Sequence, residues 1–238
     1  MKIDVFYPLI EAPGDNIELR YSLRSLENIV GGYGDVYIVG HKPRWVKDVV
    51  HIPFRDKRKT GMWTQLNTQA KEYIVCQTSK AEDILSMSDD IYILSPMRMG
   101  FYVRDEGHIK NVIASAIKRK RPSYVIEALR NTQAKFPDGH SAYVHKPHRQ
   151  SRELVLELHE KYDLTNTHYL QSDLYCNEYR DTHPWQPTKD IKIYNNPLKI
   201  RDFLDCGVIS TGDAAAKNKH FRRVMDKIFP NKSRHERA

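Results

Sequence analysis

The chain has 238 residues, with 38 lysines and arginines against 30 aspartates and glutamates and a formal net charge of +8. This length suits one large α/β domain, and no linker rich in proline, glycine or serine divides it. The apolar runs are much shorter than the roughly 20 residues that cross a bilayer, and residues 1–4 lead into a predicted strand without a signal-peptide pattern. We therefore expect a cytoplasmic protein with no membrane span.

The cysteines indicate the redox state of the thiols, and the clustered charges indicate the kind of partner. Three scattered cysteines have neither metal-site spacing nor an even count, which favours reduced thiols. The positive charge is densest in two clusters, which suit a polyanion such as nucleic acid. They comprise Lys118, Arg119, Lys120 and Arg121, and the C-terminal tail with Arg222, Arg223 and Lys227. Solvated helix ends, favoured by the helix dipole, are an equally good interpretation of such clusters.

The first forty residues predict a βαβ unit. Residues 2–9 read as a strand, and Asp15 with Glu18 is typical of a capping box that starts a helix. Apolar residues then recur at helical spacing until Gly31-Gly32, and residues 35–40 form a second apolar strand. Strand, helix and strand at this spacing indicate parallel strands joined by a right-handed crossover. A further helix is predicted within residues 61–79.

Two adjacent carboxylates, Asp89 and Asp90, lie between apolar runs that predict buried strand segments. Two adjacent buried carboxylates repel each other and lose hydration, and this cost must be offset by a cation or by hydrogen-bond donors. Hard oxygen ligands of this kind suit magnesium or manganese. The pattern indicates a metal and phosphate site at a strand end, and the alternative is a plain Asp-Asp turn within a β-hairpin.

Basic loops follow the second and third predicted strands. Lys42, Arg44 and Lys47 surround Trp45, and residues 55–59 include Arg55 and Lys57. The carboxyl ends of strands line the ligand crevice of open α/β sheets. These cations are therefore candidates for contacts with phosphate, and exposed loop charge remains an alternative for each of them.

The second half of the chain is less regular. Helices are predicted near 109–119, 123–135, 150–162 and 168–180, with a strand at 141–145. Residues 207–210 form another apolar segment, followed by a basic helix and a frayed tail. The fold class predicted from the whole pattern is α/β, with a mostly parallel sheet flanked by helices in one domain.

Three segments in order resemble one known family. They are the Leu-Arg-Tyr-Ser-Leu-Arg-Ser run within residues 18–27, the strand at 36–39, and Ser-Asp-Asp-Ile-Tyr at 88–92. Together they resemble the Stealth-type sugar transferases over about residues 3–175, with weaker similarity at 145–147 and 171–173. That family looks like a branch of the GT-A nucleotide-sugar transferase architecture, which is Rossmann-like. The opening strand lacks the Thr-Trp-Val-Asp continuation of Stealth phosphotransferases, which favours sugar transfer.

The resemblance implies a set of site residues. Asp90, with Asp89, would hold Mn²⁺ or Mg²⁺ on the diphosphate of a nucleotide sugar, taken here as UDP-linked. Donor contacts are predicted from Arg20, Arg24, Arg55, Lys57 and Asn67. Arg24 can instead pair with Glu18 or Glu27, and Asn67 can instead cap a helix.

Two further roles are assigned within this scheme. His145 is taken as the third metal ligand, with His140 and His183 as alternatives. Asp173 is the candidate base for an inverting transferase, whereas a retaining enzyme needs no such base. Residues 1–100 would bind the donor and residues 101–215 the acceptor, followed by a basic tail at 216–238.

The leading hypothesis is a metal-dependent glycosyltransferase that modifies 5-hydroxymethylcytosine in phage DNA, because the compact chain is positively charged. One alternative is a transferase for a cell-envelope glycan. Another is a nucleic-acid-binding protein or a nuclease in which Asp89 and Asp90 hold the metal. A nuclease would need more clustered acids near the pair.

Overall fold

The computed structural model describes residues 3–12, 15–57, 61–143, 146–183 and 190–237. The strands are β1 Ile3–Leu9, β2 Tyr33–Gly40, β3 Val50–Ile52, β4 Asp83–Ser86, β5 Ile91–Ile93, β6 Arg104–His108, β7 His140–Tyr143, β8 His148–Ser151, β9 Asp190–Ile193 and β10 Val208–Thr211. The α-helices are α1 Ile17–Ser25, α2 Met62–Thr78, α3 Ile109–Lys118, α4 Ser123–Lys135, α5 Arg152–Tyr162, α6 Gln171–Glu178, α7 Asp213–Ala216 and α8 Phe221–Ile228.

The central sheet has the order β3-β2-β1-β4-β8. The first four strands are parallel, and β8 runs antiparallel to β4 at the edge. β1 lies in the middle, and its Val5, Phe6 and Tyr7 are fully buried, as expected for a strand covered on both faces. The predicted α/β domain with a mostly parallel sheet and flanking helices is confirmed.

The order of the strands creates a topological switch point. The chain places β2 and then β3 on one side of β1, and α2 carries it back to place β4 on the other side. The connections that leave β1 and β4 therefore diverge at their carboxyl ends, which opens a crevice. Ligands of open α/β sheets bind at such a crevice. The residues that follow β4, Met87 to Asp90, lie at this point.

A second sheet of three strands has the order β5-β10-β9. β10 runs antiparallel to β5 and parallel to β9. Because β4 and β5 belong to different sheets, the hairpin alternative for Asp89 and Asp90 is wrong. The turn at residues 88–91, called the acid turn below, instead carries the chain from one sheet to the next.

A helical hairpin of α3 and α4 packs beside the small two-stranded sheet of β6 and β7. Ile109, Ile113, Ala116 and Leu129 form its own apolar cluster. These helices agree with the predicted segments to within a residue. No helix in the described ranges is both long and apolar enough to cross a membrane.

The start of α1 differs from the predicted capping box. The helix begins at Ile17, and the residue at its N-cap is Asn16, whose side chain makes no cap hydrogen bond. Asp15 and Asn16 both have left-handed backbone angles, with φ of 59° and 51°. The Asn16 side-chain amide instead donates to the Ile10 carbonyl at 3.0 Å. The Asn16 side chain is therefore hydrogen-bonded to the connection after β1 and does not cap α1.

The C-terminal tail is docked, so the prediction of a frayed tail is wrong. Ser233, His235 and Glu236 are buried. Glu236 forms an antiparallel bridge with Val46, in the loop after β2. Its side chain is fully buried and accepts hydrogen bonds from Arg24 in α1. The tail is held because this carboxylate neutralises cations of α1.

Candidate active site

Main-chain hydrogen bonds anchor the acid turn to both sheets. Met87 N donates to the Phe6 carbonyl of β1 at 2.9 Å, just before the turn. Ile91 N donates back to the Ser88 carbonyl at 3.2 Å and closes the turn. Thr211 N, at the end of β10, donates to the Asp90 carbonyl at 2.9 Å. The two carboxylates are thus presented from a fixed backbone.

Ser22 in α1 braces the acid turn from behind. Its Oγ lies 2.8 Å from the Ile91 carbonyl and 3.2 Å from the Ser88 carbonyl, and donates to them. The Tyr7 hydroxyl lies 2.9 Å from the same Oγ and completes its hydrogen bonding. This role of Ser22 was not predicted from the sequence. A serine within the apolar stripe of Leu19 and Leu23 was the available signal.

A third carboxylate, Glu18, lies near the acid turn and was also missed as a site residue. Burial, together with the charge of Asp90, raises the pKa of Asp89 to about 6. Burial also raises the pKa of Glu18 to about 7, although the Thr211 hydroxyl donates to its Oε1 at 2.7 Å. Negative charge concentrated in this way stabilises a bound cation.

The donor set at the acid turn fits a divalent cation that also binds substrate phosphate. Within the described ranges no three acidic, histidine or cysteine side chains come close enough to form a metal cage. Magnesium, however, commonly binds one or two carboxylates and completes its shell with phosphate oxygens and water. Lys192 Nζ lies 3.5 Å from Asp90 Oδ2 and supplies a nearby positive charge.

The histidine predicted as third ligand, His145, lies outside the described residues. Its two alternatives have other contacts. His140 Nδ1 lies 2.8 Å from Asp105 Oδ2 across β6 and β7. His183 Nδ1 lies 3.0 Å from the Tyr175 hydroxyl. Neither described histidine forms a three-ligand group with the acid turn.

A cavity of about 220 Å³, called the acid-turn cavity below, opens beside Ser88 and Ile91. α2, the end of β4, β8 and the start of α6 surround it with polar side chains. Its polar lining includes Gln65, Thr68, Gln69, Glu72, Ser86 and Gln171. The residues from α2 recur at helical spacing, a polar stripe that was not recognised in the sequence. A pocket of clustered amides and hydroxyls suits a ligand rich in hydroxyl groups.

Two groups of this cavity are notable. Burial raises the pKa of Glu72 to about 7, while Gln171 donates a hydrogen bond to its Oε2. Gln69 Nε2 donates to the Tyr169 carbonyl at 3.1 Å, which fixes the orientation of its amide. Gln69 Oε1 is buried and has no hydrogen-bond partner among the described residues. A buried acceptor without a partner costs free energy until a ligand or water satisfies it.

The strand-end cavity, of about 620 Å³, lies at the carboxyl ends of β1, β2 and β3. Glu11, His41, Phe54 and Arg55 are among the residues that line it. Below it, Lys71 Nζ pairs with Asp56 Oδ1 at 2.9 Å. Arg55 is thus one predicted donor cation that does face a cavity at the switch-point edge of the sheet.

The hairpin cavity, of about 750 Å³, lies between the α3–α4 hairpin, β7 and α6. It shares Gln65, Thr68, Leu170 and Ser172 with the acid-turn cavity, so the two cavities adjoin. Asp173 lines it and is only 1% exposed. Its Oδ1 accepts from Ala142 N at 2.9 Å, whereas Oδ2 has no hydrogen-bond partner among the described residues. Burial raises the pKa of Asp173 to about 7, although hydrogen bonds from Ala142 N and from the Ser141 side chain to the carboxyl group act in the opposite direction.

The remaining donor residues predicted from the sequence have other contacts. Arg20 and Arg24 both pair with Glu236, so the expected partners of Arg24, Glu18 and Glu27, are wrong. Asn67 lies inside α2 and not at its start, which rules out the capping alternative. Its Oδ1 accepts from Lys57 N at 3.3 Å, and Lys57 Nζ lies 5.8 Å from the centre of the Trp63 ring.

The two basic clusters are placed differently. The residues of the first cluster are exposed, and two of them, Arg119 and Arg121, line the mouth of the hairpin cavity. The cations of the second cluster are exposed on α8, away from the lining of the three cavities described above. They are Arg222, Arg223 and Lys227.

No family model and no curated protein matches the sequence. Among solved structures, the chain is similar to 2-C-methyl-D-erythritol 4-phosphate cytidylyltransferase from Thermus thermophilus, at 11% identity over 97% of this chain and 98% of that chain, with a TM-score of 0.43. The galactosyltransferase LgtC, solved with donor and acceptor sugar analogs, aligns at 8% identity over 94% and 96% of the two chains, with a TM-score of 0.48.

The apo-form glycosyltransferase GlyE of Streptococcus pneumoniae TIGR4 aligns at 10% identity over 98% of this chain and 61% of that chain, with a TM-score of 0.44. Two of these three proteins are therefore glycosyltransferases and one is a cytidylyltransferase.

Stability is expected to fall between about pH 6.5 and about pH 8. Burial raises the pKa of Glu18, Glu72 and Asp173 to about 7 in each case. Because each folded value lies above the unfolded one, at about 4, the stabilising contribution is complete below about pH 4, declines as the pH rises and is lost above about pH 7. Buried His148, with a pKa of about 3, and His159, with a pKa of about 4, act in the opposite direction, and their effect is largely complete once the pH passes the unfolded value of about 6.5.

Thermal unfolding followed by circular dichroism checks this expectation. The midpoint should be lower at about pH 8 than at about pH 6.5. A Glu72→Gln variant, which is neutral at both values, should show a smaller difference. A midpoint that does not change, or that rises with pH, would contradict the assignment of these buried carboxyls.

Proposed function

We propose that the protein is a glycosyltransferase that moves a sugar from a nucleotide-sugar donor to an acceptor hydroxyl. The observation that carries the proposal is the position of Asp89 and Asp90 on a braced turn at the switch point, beside a polar cavity. A diphosphate needs cationic compensation at such a place, and a sugar needs a pocket rich in hydrogen-bonding groups beside it. The position of the acid turn beside the acid-turn cavity supports the proposal that one crevice serves both needs.

Asp89 and Asp90 would hold Mn²⁺ or Mg²⁺ together with the diphosphate of the donor. A bound divalent cation neutralises the negative charge that develops on the leaving diphosphate. Ser22 and Thr211 keep the acid turn in place through its main chain. His145 remains the proposed additional ligand.

The cavities suggest where the parts of the donor bind. The nucleoside fits the strand-end cavity, with Arg55 near its phosphates. The sugar fits the acid-turn cavity, where Gln69 Oε1 would accept a hydrogen bond from one of its hydroxyls. We keep UDP as the proposed nucleotide.

Asp173 would act as the base in an inverting reaction. A base works best with a pKa near the working pH, and burial places that of Asp173 at about 7. Its Oδ2 is buried and lacks a hydrogen-bond partner among the described residues, and Asp173 is one of the residues that line the hairpin cavity, which adjoins the proposed sugar pocket. The acceptor hydroxyl would donate its hydrogen bond to this oxygen.

For the acceptor we propose 5-hydroxymethylcytosine in DNA. The net charge of +8 supports a polyanionic acceptor. Exposed cations that would contact phosphates are those of the 118–121 cluster and Arg222, Arg223 and Lys227 on α8. A cell-envelope glycan is the competing acceptor.

Titration calorimetry with nucleoside diphosphates tests the donor half of this proposal. UDP, GDP, ADP and dTDP would each be titrated into the protein with and without manganese. At least one should bind, more tightly with the metal, and the metal effect should be lost in Asp90→Asn. If none binds under either condition, the proposed function is wrong.

Removal of the Arg55 charge should raise the KM for the nucleotide sugar. An exposed cation at the cavity rim stabilises the bound ground state and the transition state alike, so kcat should change little. We expect Arg55→Gln to raise KM by roughly three- to tenfold. Lys80→Gln, an exposed cation beyond the end of α2, is the matched control. An unchanged KM would mean that Arg55 is only solvated.

A further inference from the structure

The hairpin cavity differs from the acid-turn cavity in its size and in the cations at its rim. Apolar side chains of the two helices, Val112, Ala116, Val125 and Leu129, form part of its walls. Its volume of about 750 Å³ is more than three times that of the acid-turn cavity, at about 220 Å³. Apolar walls of this kind suit a planar or apolar group.

Two arginines lie at the mouth of the same cavity. Arg119 and Arg121 are exposed, and neither forms an ion pair with a described residue. Glu106, which also lines the cavity, is paired with Arg104, its carboxylate Oε1 lying 2.7 Å from the guanidinium Nε. The two arginines are therefore available to bind an anionic group, and guanidinium groups bind phosphate through paired hydrogen bonds.

A buried acceptor oxygen lies on the inner side. Asp173 Oδ2 is inaccessible to solvent and has no hydrogen-bond partner among the described residues. Burying such an oxygen without a partner is costly, so a ligand hydroxyl that reaches it would be bound favourably. Apolar walls, an inner carboxylate and outer cations together define a ligand with an apolar ring, a hydroxyl and a phosphate.

We propose that the hairpin cavity binds the acceptor as a nucleotide extruded from its strand. The base would pack between α3 and α4, its hydroxymethyl group would reach Asp173, and its flanking phosphate would bind Arg119 and Arg121. This inference rests on the proposed function and specifies how a nucleic-acid acceptor enters the site. Extrusion is needed because Asp173 is buried and cannot reach a base within a duplex.

The transfer step balances without a further reactant. The acceptor hydroxyl oxygen forms a bond to the anomeric carbon of the donor sugar. The bond from that carbon to the diphosphate oxygen breaks, and its electron pair leaves with the nucleoside diphosphate. The proton of the hydroxyl passes to Asp173 Oδ2.

Transfer to synthetic duplexes tests the inference. Each duplex carries one 5-hydroxymethylcytosine, placed either opposite guanine or opposite an abasic site. Extrusion predicts a lower KM for the second duplex, by roughly tenfold or more, because pairing no longer opposes it. Equal KM values for the two duplexes would overturn the inference.

Two variants test the cavity itself. Val112→Trp should fill it and lower kcat/KM for the duplex by at least about a hundredfold, while nucleoside diphosphate binding is unchanged. Ile117→Trp is the matched control, because Ile117 lies on the same helix, is 50% exposed and does not line the cavity. If Val112→Trp does not fold, the comparison of the two duplexes with the unaltered protein still tests the inference.

The cations are tested in the same way. Arg119→Gln with Arg121→Gln should weaken duplex binding by roughly ten- to a hundredfold, whereas Lys110→Gln with Arg130→Gln, exposed on the same hairpin, should have little effect. Equal losses in both pairs would indicate diffuse attraction and overturn the inference. Bound nucleoside diphosphate with transfer only to a neutral glycan would overturn it while leaving the transferase intact. Absence of any nucleoside diphosphate binding would overturn both.

Discussion

Replacing Asp90 with asparagine is expected to abolish sugar transfer and leave the fold intact. The amide is nearly the same size as the carboxylate but is a weaker ligand for a hard cation. The main-chain bond from Thr211 N to the Asp90 carbonyl does not depend on the side chain. We expect kcat/KM to fall on the order of a thousandfold or more, since charge on the leaving diphosphate would be left poorly compensated.

Initial rates with saturating manganese and an unchanged melting temperature would establish this result. Asp202→Asn is the matched control, because Asp202 is an exposed aspartate outside the lining of the three cavities. Asp89→Asn should behave like Asp90→Asn and should also remove the pKa of about 6 from the titration of the protein. Near-normal turnover of Asp90→Asn would contradict the assigned metal site.

Replacing Glu236 with glutamine is expected to destabilise the protein by about 3–5 kcal/mol. The Glu236 side chain is fully buried and accepts from Arg20 Nη1 at 2.6 Å and Arg24 Nε at 2.7 Å. Burial alone would raise its pKa, but hydrogen bonds from Arg24 and Ser233 outweigh burial and hold the pKa below its usual value. The glutamine would leave the buried guanidinium of Arg24, which is only 8% exposed, without its main counter-charge.

Urea denaturation at neutral pH measures this loss. Lys232→Gln, an exposed substitution in the same segment, is the control and should change the unfolding free energy by less than about 0.5 kcal/mol. Arg24→Met combined with Glu236→Leu should recover part of the stability, because the most deeply buried cation and its carboxylate partner are removed together, while Arg20, which also loses Glu236, is partly exposed to solvent. A change below about 1 kcal/mol for Glu236→Gln would mean that the docked tail contributes little.

Local patterns in the sequence were sufficient for the first elements and for the acid turn. The apolar runs around Asp89 and Asp90 end at a strand terminus because burial and carboxylate hydration compete there. The βαβ pattern placed β1 and β2 beside each other in parallel. The topology of these elements was then sufficient to predict which edge of the sheet carries the candidate site.

Pairings between distant residues were not predictable in the same way. Arg24 and Glu236 lie 212 residues apart, and nothing in either segment selects the other as a partner. Glu236 also closes a short bridge with Val46, which a basic, polar tail does not suggest. Since the sequence shows only local charge, α1 looked like a donor-binding helix although its arginines anchor the tail.

The cavities depend on packing between elements and therefore could not be predicted from the sequence either. Asp173 was predicted as the candidate base, but its burial, which depends on the α3–α4 hairpin and β7, was not predicted. Gln69 and Glu72 belong to a polar stripe on α2 that looks like a solvated face until α6 covers it. Their chemistry follows from desolvation, which a single sequence does not display.

The most direct test of the central claim is mass spectrometry of acceptors after incubation with nucleotide sugars and manganese. Each donor would be offered with 5-hydroxymethylcytosine DNA and, separately, with glycan acceptors. We predict that one acceptor gains the mass of a single sugar residue, that an equal amount of nucleoside diphosphate is released, and that Asp90→Asn gives neither product. No gain in mass with any donor and acceptor, or cleavage of the DNA without any donor, would contradict the claim.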